Sequence, residues 1–128
     1  MGTIEDQNRS CADSRKRIAL LFEECGPTII ALGDETRQAI VIALLDAGAE
    51  GMRVGELKKR TNLSRPAVSH HLKVLKDTGI VAVRKQGTMN FYYLNASTGS
   101  WTALGALGLT VAKAAERARD AGYPENCL

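Results

Sequence analysis

Ser64-Arg65-Pro66-Ala67-Val68-Ser69-His70-His71-Leu72-Lys73-Val74-Leu75 is the stretch on which the reading of this 128-residue chain turns. Ser64 carries a side chain that accepts a backbone N–H at a helix start, and Pro66 falls in the first turn, where a missing N–H leaves no bond unmade. Leu63 and Val68 flank that cap at the spacing of a hydrophobic staple. With Val68 at zero on a helical wheel, Leu72 and Leu75 fall within about 40° of it, whereas Pro66, Ser69, His70 and Lys73 fall about 100–200° away. One face is therefore apolar. The other offers a flat ring, a hydroxyl, an imidazole and an ammonium group, with the Arg65 guanidinium at the N-terminal end. His71, at the edge of the apolar face, reads as structural.

Working outward, Val54–Arg60 reads as a short helix with Val54 and Leu57 inward. Thr61-Asn62-Leu63 reads as a tight turn, since Asn tolerates the left-handed conformation that such a turn needs. The second helix runs to about Thr78 and Gly79 closes it. The period then changes: Ile80–Arg84 and Thr88–Leu94 are rich in β-branched and aromatic residues, with Gln86-Gly87 between them. A hairpin with Arg84 and Lys85 near its tip is expected. On the N-terminal side, Asp34 caps a helix whose buried stripe is Ile40, Val41, Leu44 and Leu45, ending at Gly48. Before it, Asp13 or Ser14 starts a helix that Gly26-Pro27 interrupts and that resumes as a short turn over 28–32. Ser97 or Ser100 starts a last helix to about Ala121, in which Trp101, Leu104, Gly108, Val111, Ala115 and Ala118 recur at three-to-four spacing. Residues 1–12 read as a polar, mobile arm, 13–122 as one domain and 123–128 as a tail.

Charge separates the same regions. The formal net charge is only +3, yet from Arg53 to Lys85 nine basic residues (Arg53, Lys58, Lys59, Arg60, Arg65, Lys73, Lys76, Arg84 and Lys85) stand against Glu56 and Asp77, a local +7. The rest of the chain sums to −4. A basic block on a mildly acidic scaffold is the footprint of a polyanion-binding element. Other classes are excluded. There is no Gly-rich phosphate loop, no HExxH and no nucleophile with a base partner, so neither an enzyme nor a cofactor is expected. The polar Met1–Ser10 start is not a signal peptide, and the longest apolar run, Ala39–Leu45, is too short to span a bilayer. Three widely spaced cysteines make no disulfide framework and no CxxC metal clip, so a reducing cytoplasm is the expected home and no membrane partner is expected.

Several of these residues together resemble the ArsR/SmtB family: Ala31-Leu32-Gly33-Asp34-Glu35-Thr36-Arg37, Val54-Gly55-Glu56-Leu57, the Ser64–Leu75 stretch above, Gly79-Ile80-Val81 and the Gly87–Tyr93 strand. The match covers roughly residues 30–95, in order and spacing, and Ser-x-x-x-x-Ser-His-His-Leu is its most specific part. The resemblance implies a mainly α, winged helix-turn-helix fold: four helices, a two-stranded wing and a fifth helix, with the helix-turn-helix over 54–78 and the wing over 80–94. It also implies a homodimer that represses transcription from operator DNA, usually as an autoregulator. Base contacts carry onto Ser64, Arg65, Ser69, His70 and Lys73, with Pro66 on the same face. Arg84, Lys85 and Gln86 of the wing would lie along the backbone or in the minor groove. Terminal helices over 13–32 and 98–121 would form the dimer interface through Ile18, Leu21, Phe22, Trp101, Leu104, Gly108, Val111 and Ala115. The last helix suits this by its own chemistry, since small residues at Gly105, Gly108, Ala112 and Ala115 allow close approach. The competing reading is a winged-helix module that binds protein. The outward Arg65, Ser69, His70 and Lys73 set argues against it, and salt dependence of duplex binding discriminates the two.

The family's usual metal sites are missing. One places cysteines in the helix before the recognition helix, where this chain reads Met52-Arg53-Val54-Gly55-Glu56-Leu57, with an arginine and a glycine in the thiolate positions. The other uses His and acidic residues on the final helix, and Ser97–Gly122 holds no His or Cys, while Glu116 and Asp120 have Lys113 and Arg117 as ordinary helix partners. No metal site is expected, and the releasing signal is unidentified. Cys11, Cys25 and Cys127 remain. Either Cys25 is a small core residue and the others are incidental at frayed ends, or the three meet within or across subunits as a redox or arsenite sensor, where thiolates suit a soft ion and a pair suits a disulfide.

Overall fold

Thr3 and Asp6 start the first helix by exchanging bonds. In the computed structural model, which describes residues 3–124 and 128, Thr3 N donates to Asp6 Oδ2 and Asp6 N donates to Thr3 Oγ1, each at 3.2 Å. This reciprocal cap satisfies two N–H groups that a helix start would leave orphaned. Helix α1 (Ile4–Leu32) therefore begins well before the expected Asp13 or Ser14, and residues 4–12 of the expected arm are helical. Nor does Gly26-Pro27 interrupt it. Pro27 removes one N–H from the ladder and lies inside the helix; Cys25 before it and Thr28 and Ala31 after it are buried.

Asp34 then caps α2 (Glu35–Ala47), its Oδ1 accepting from Arg37 N at 2.9 Å, and Gly48 ends it at φ 63. A single 3₁₀ turn, Gly48–Glu50, leads to α3 (Val54–Thr61). Asn62 adopts the expected left-handed conformation (φ 57, ψ 35), and Ser64 Oγ accepts from Ala67 N at 3.3 Å to start α4 (Arg65–Asp77). Strands β1 (Val81–Gln86) and β2 (Met89–Leu94) pair antiparallel with Gln86 opposite Met89, and α5 (Gly99–Asp120) follows. The hairpin turn is Gly87-Thr88, one residue beyond the expected Gln86-Gly87. Gly87 takes its first corner at φ 64, a conformation open to glycine and costly for other residues. Arg84 consequently stands mid-strand opposite Phe91, and Lys85 and Gln86 lie nearer the tip.

The chain divides into two compact units, Pro27–Trp101 and the flanking segments Met1–Gly26 with Thr102–Leu128, the boundary falling at the Gly26-Pro27 pair. In the central unit, Ile40 and Leu44 of α2, Leu57 of α3, and Val68, Leu72 and Leu75 of α4 are sealed together with Ile80 and Val81. Each such side chain contributes about 1.5–3 kcal/mol through burial. An unforeseen bridge closes this core: Met52 and Tyr92 exchange two backbone hydrogen bonds at 2.8 Å, which seats the residue before α3 against β2. Gly51, at φ 72, is required there, because a Cβ would collide with the Tyr92 carbonyl. In the flanking unit, Cys11 and Ala118 are buried together with Tyr123 against them. Ile18, Cys25, Leu107 and Ala114 are also buried, whereas Leu20, Phe22 and Leu109 remain exposed. No helix among the described residues is long and apolar enough to cross a membrane.

Candidate nucleic-acid interface

The cap at Ser64 and the left-handed turn at Asn62 set the rotation of α4, and that rotation decides which groups face outward. Val68, Leu72 and Leu75 are buried, while Ser64, Arg65, Pro66, Ser69, His70 and Lys73 are all exposed. Ser69, His70, Lys73 and Pro66 share the outward face of α4, with Arg65 at its edge and Ser64 at the cap before it. The Ser64 oxygen accepts from Ala67 N, which leaves its O–H available to donate. His71 is half-buried, and Arg37 Nη1 donates to its Nδ1 at 3.3 Å. Its ring stands edge-on to that of His70, with centroids 5.5 Å apart.

Arg37 is a residue whose role the sequence does not announce. Its Nε donates to the Ala31 carbonyl at 2.7 Å and its Nη2 to the Ile30 carbonyl at 3.2 Å, which also accepts from Gly33 N at 3.3 Å at the end of α1. The same guanidinium thus ties the last turn of α1 to the start of α2 and, through His71, to α4. The hydrogen bond from Arg37 N holds the Asp34 carboxyl below its ordinary value of 3.8, with the charges of Arg37 and His71 adding to it and burial opposing it.

The nine cations of the 53–85 block divide by what they touch. Arg60 pairs with Asp46 across to α2. Lys73 Nζ lies 3.0 Å from Asp77 Oδ2, but both side chains are more than half exposed, and a surface pair of this kind is worth little and yields readily to a stronger anion. Arg84 departs furthest from expectation. Its two terminal nitrogens donate to the carbonyls of Ala49 and Glu50 at 3.1 and 2.9 Å, and its guanidinium carbon lies 5.4 Å from the centre of the Phe91 ring. Two of its five N–H groups are thus held by the chain itself and fasten the hairpin to the 3₁₀ turn, while the residue stays exposed. Arg53, Lys58, Lys59, Arg65, Lys76 and Lys85 have no ion pair among the described residues. Lys85 and Gln86 are exposed on the hairpin as expected.

The residues expected at the dimer interface are not equivalent. Ile18 is buried within its own chain, and Trp101 packs on the central core. Leu21, Leu104, Val111 and Ala115 are half-buried, while Phe22 and Gly108 are exposed. Among the cysteines, Cys25 is a buried free thiol, whereas Cys11 is disulfide-bonded and buried beside Ala118 and Tyr123 and so is not incidental at a frayed end; Cys127 lies outside the described residues. Cys11 and Cys25 sit fourteen residues apart on one helix. At 1.5 Å per residue their backbones are about 21 Å apart, so a three-thiolate cluster within one chain is ruled out. Among the described residues, no three His, Cys, Asp or Glu side chains come together in a way that would hold a metal ion.

Comparison with known proteins agrees with this architecture. Residues 34–83, from the α2 cap through the helix-turn-helix into β1, match the family model of bacterial regulatory proteins of the arsR family. An uncharacterized HTH-type transcriptional regulator of Methanocaldococcus jannaschii is 41% identical over 75 residues, which is 57% of this chain and 80% of that protein. The transcriptional repressor SdpR of Bacillus subtilis is 34% identical over 67 residues, 52% of this chain and 71% of that protein. Among solved structures, a possible transcriptional regulator for arsenical resistance superposes with a TM-score of 0.55 at 29% identity, covering 65% of this chain and 81% of that one. The capped helix-turn-helix, the two-stranded wing behind it and these relatives lead to one conclusion: the chain belongs to the arsR family of winged helix-turn-helix transcriptional regulators, which are not enzymes.

Proposed function

We propose that this protein is a sequence-specific repressor that binds double-stranded operator DNA as a homodimer and regulates its own promoter. One observation carries the reading: α4 turns every large apolar side chain inward and presents Arg65, Ser69, His70 and Lys73 together on its exposed face. Those groups match what a major groove offers, with Arg and Lys donating to guanine N7 and O6 and Ser and His contacting base edges or phosphate. Lys85 and Gln86 follow along the backbone beside the wing, and Arg84 sets the angle of that wing. The repressor role follows the relative named as one, SdpR. The dimer is supported by large exposed apolar side chains on both terminal helices, Leu20 and Phe22 on α1 and Leu109 on α5. Two copies would read half-sites about 10 bp apart or a multiple of that. Release answers to a signal acting elsewhere than at the family's usual metal positions, because Arg53 and Gly55 occupy one of them.

The test is binding to a fragment of its own promoter across a salt series. A duplex-binding repressor loses affinity steeply as salt rises, and Ser69→Ala or His70→Ala alters sequence preference within a half-site. Flat salt dependence would sink the DNA reading in favour of a protein-binding module. A monomer at micromolar concentration by sedimentation would remove the dimer.

A further inference from the structure

Three cations of the 53–85 block that have no ion pair among the described residues converge on one place. Arg53, Lys59 and Arg65 line a cleft of about 380 Å³, formed by the first turn of α3, the start of α4 and the start of β2, with Glu56, Thr88 and Asn90 among its other polar walls. We propose that this cleft seats a phosphodiester of the operator backbone, an inference that rests on the DNA-binding reading above and adds Arg53 and Lys59 to its contacts.

The electrostatics select an anion. Three positive side chains face one carboxylate, and that carboxylate is already engaged, since Glu56 Oε1 accepts from Arg53 N at 3.2 Å. The first turn of α3 adds the partial positive charge of a helix start. Thr88 and Asn90 bring neutral hydrogen-bonding groups from the hairpin, as phosphate oxygens require. Gly55 lines the cleft beside Arg65. A Cβ at that position would make only an ordinary contact with the Arg65 Nη2, at 3.6 Å, which places the guanidinium next to the first turn of α3. Arg65 also belongs to the exposed face of α4. A phosphate held here would therefore fix the register of the recognition helix in the groove while carrying no sequence information itself.

The experiment compares the slope of log affinity against log salt for full-length wild type, R53Q/K59Q, and K58Q/K76Q, which removes equal charge outside the cleft. Losing the seat lowers the slope by about 0.9 per phosphate released and weakens all duplexes alike, roughly ten-fold. Gly55→Asp is the independent variant: it removes no cation, its Cβ makes only an ordinary contact and its carboxylate favours a helix start, so it should melt no earlier than wild type yet lose the same slope. Gly55→Ala should bind as wild type does. The seat is overturned if R53Q/K59Q and Gly55→Asp keep the wild-type slope, or if K58Q/K76Q shifts it equally. Absence of salt-dependent binding by wild type overturns the DNA reading and the seat together, so the two failures are distinct. Exchanging chloride for inorganic phosphate at constant ionic strength separates the sources. Saturable phosphate binding by wild type but not Gly55→Asp, with DNA slopes unchanged, would assign the cleft to a free phosphate ligand and overturn the backbone assignment.

Discussion

Helices α4 and α1 obey the same rules, yet different forces set their ends. In α4, 13 residues long, the cap, the first-turn proline, the staple and the closing glycine all mark boundaries that the structure adopts to within a residue. In α1, 29 residues long, a Gly-Pro pair that ordinarily ends a helix lies inside it. The difference is burial. Around α4, the local signals coincide with where burial begins and ends, so nothing contests them. Along α1, residues on each side of the pair are buried, Cys25 before it and Thr28 and Ala31 after it, so the local stop signal does not coincide with an end of burial. The outward faces differ too. α4 presents hydrogen-bonding and cationic groups, whereas α1 presents Leu20, Phe22 and Ile30 among its charges. The first is a surface for a polar, highly charged partner, the second one for apolar contact.

The contrast is open to attack from its strongest point downward. Leu72→Ala, on the sealed face of α4, should cost about 2–5 kcal/mol, read from the urea midpoint at unchanged slope. A loss below about 1 kcal/mol would mean that α4 is not fixed by that face, since a sealed leucine should cost well above that. Arg37→Ala tests the tie between the two helices. It takes the donor from the Ala31 carbonyl, one of two donors from the Ile30 carbonyl, and the bond to His71, so a destabilisation of about 1–3 kcal/mol is expected. Arg37→Lys should not restore it, because one ammonium cannot reproduce the fork. Equal urea midpoints for Arg37→Lys and wild type would refute the tie. On the exposed side of α1, Leu20→Ser with Phe22→Ser should leave helix content by circular dichroism intact while weakening self-association roughly ten-fold, near 1.4 kcal/mol. Unchanged sedimentation would move the dimer contact elsewhere.

The smallest effect concerns Asp34, at the junction of α1 and α2. Its carboxyl titrates below 3.8 in the folded chain because the ionised form accepts from Arg37 N and faces the Arg37 and His71 charges. A lowered folded value means that the carboxylate contributes fully above 3.8 and that this contribution fades as pH falls through the folded value beneath it. Melting temperature measured from about pH 6 to pH 2 should therefore fall less steeply for Asp34→Asn than for wild type. Parallel curves would show that the cap gains nothing from its charge.

Much of the candidate interface is legible in the sequence because it rests on nearest-neighbour chemistry. Ser64, Pro66 and Asn62 act on backbone groups two or three residues away, and apolar spacing along α4 already separates Val68, Leu72 and Leu75 from Ser69, His70 and Lys73. The cap at Thr3 is equally local: Thr-Ile-Glu-Asp has the spacing of a capping box, although the polarity of residues 1–12 reads as an arm. The fate of each arginine is not legible in this way. Arg37, Arg60 and Arg84 each reach a partner on another element, Arg37 to His71, Arg60 to Asp46 and Arg84 to the Ala49 and Glu50 carbonyls.

Local pattern is thus enough to specify the helix-turn-helix, its exposed face and the wing behind it, since capping, turn chemistry and periodicity operate within a few residues. Assembly of the chain settles the rest: the unbroken α1, the Met52–Tyr92 bridge, and which basic side chains are consumed inside the protein. A net charge of +7 says how many cations the 53–85 block carries in excess. Only the approach of distant backbone and carboxylate groups distinguishes Arg84, held by two carbonyls, from Arg53, Lys59 and Arg65, left facing a common cleft.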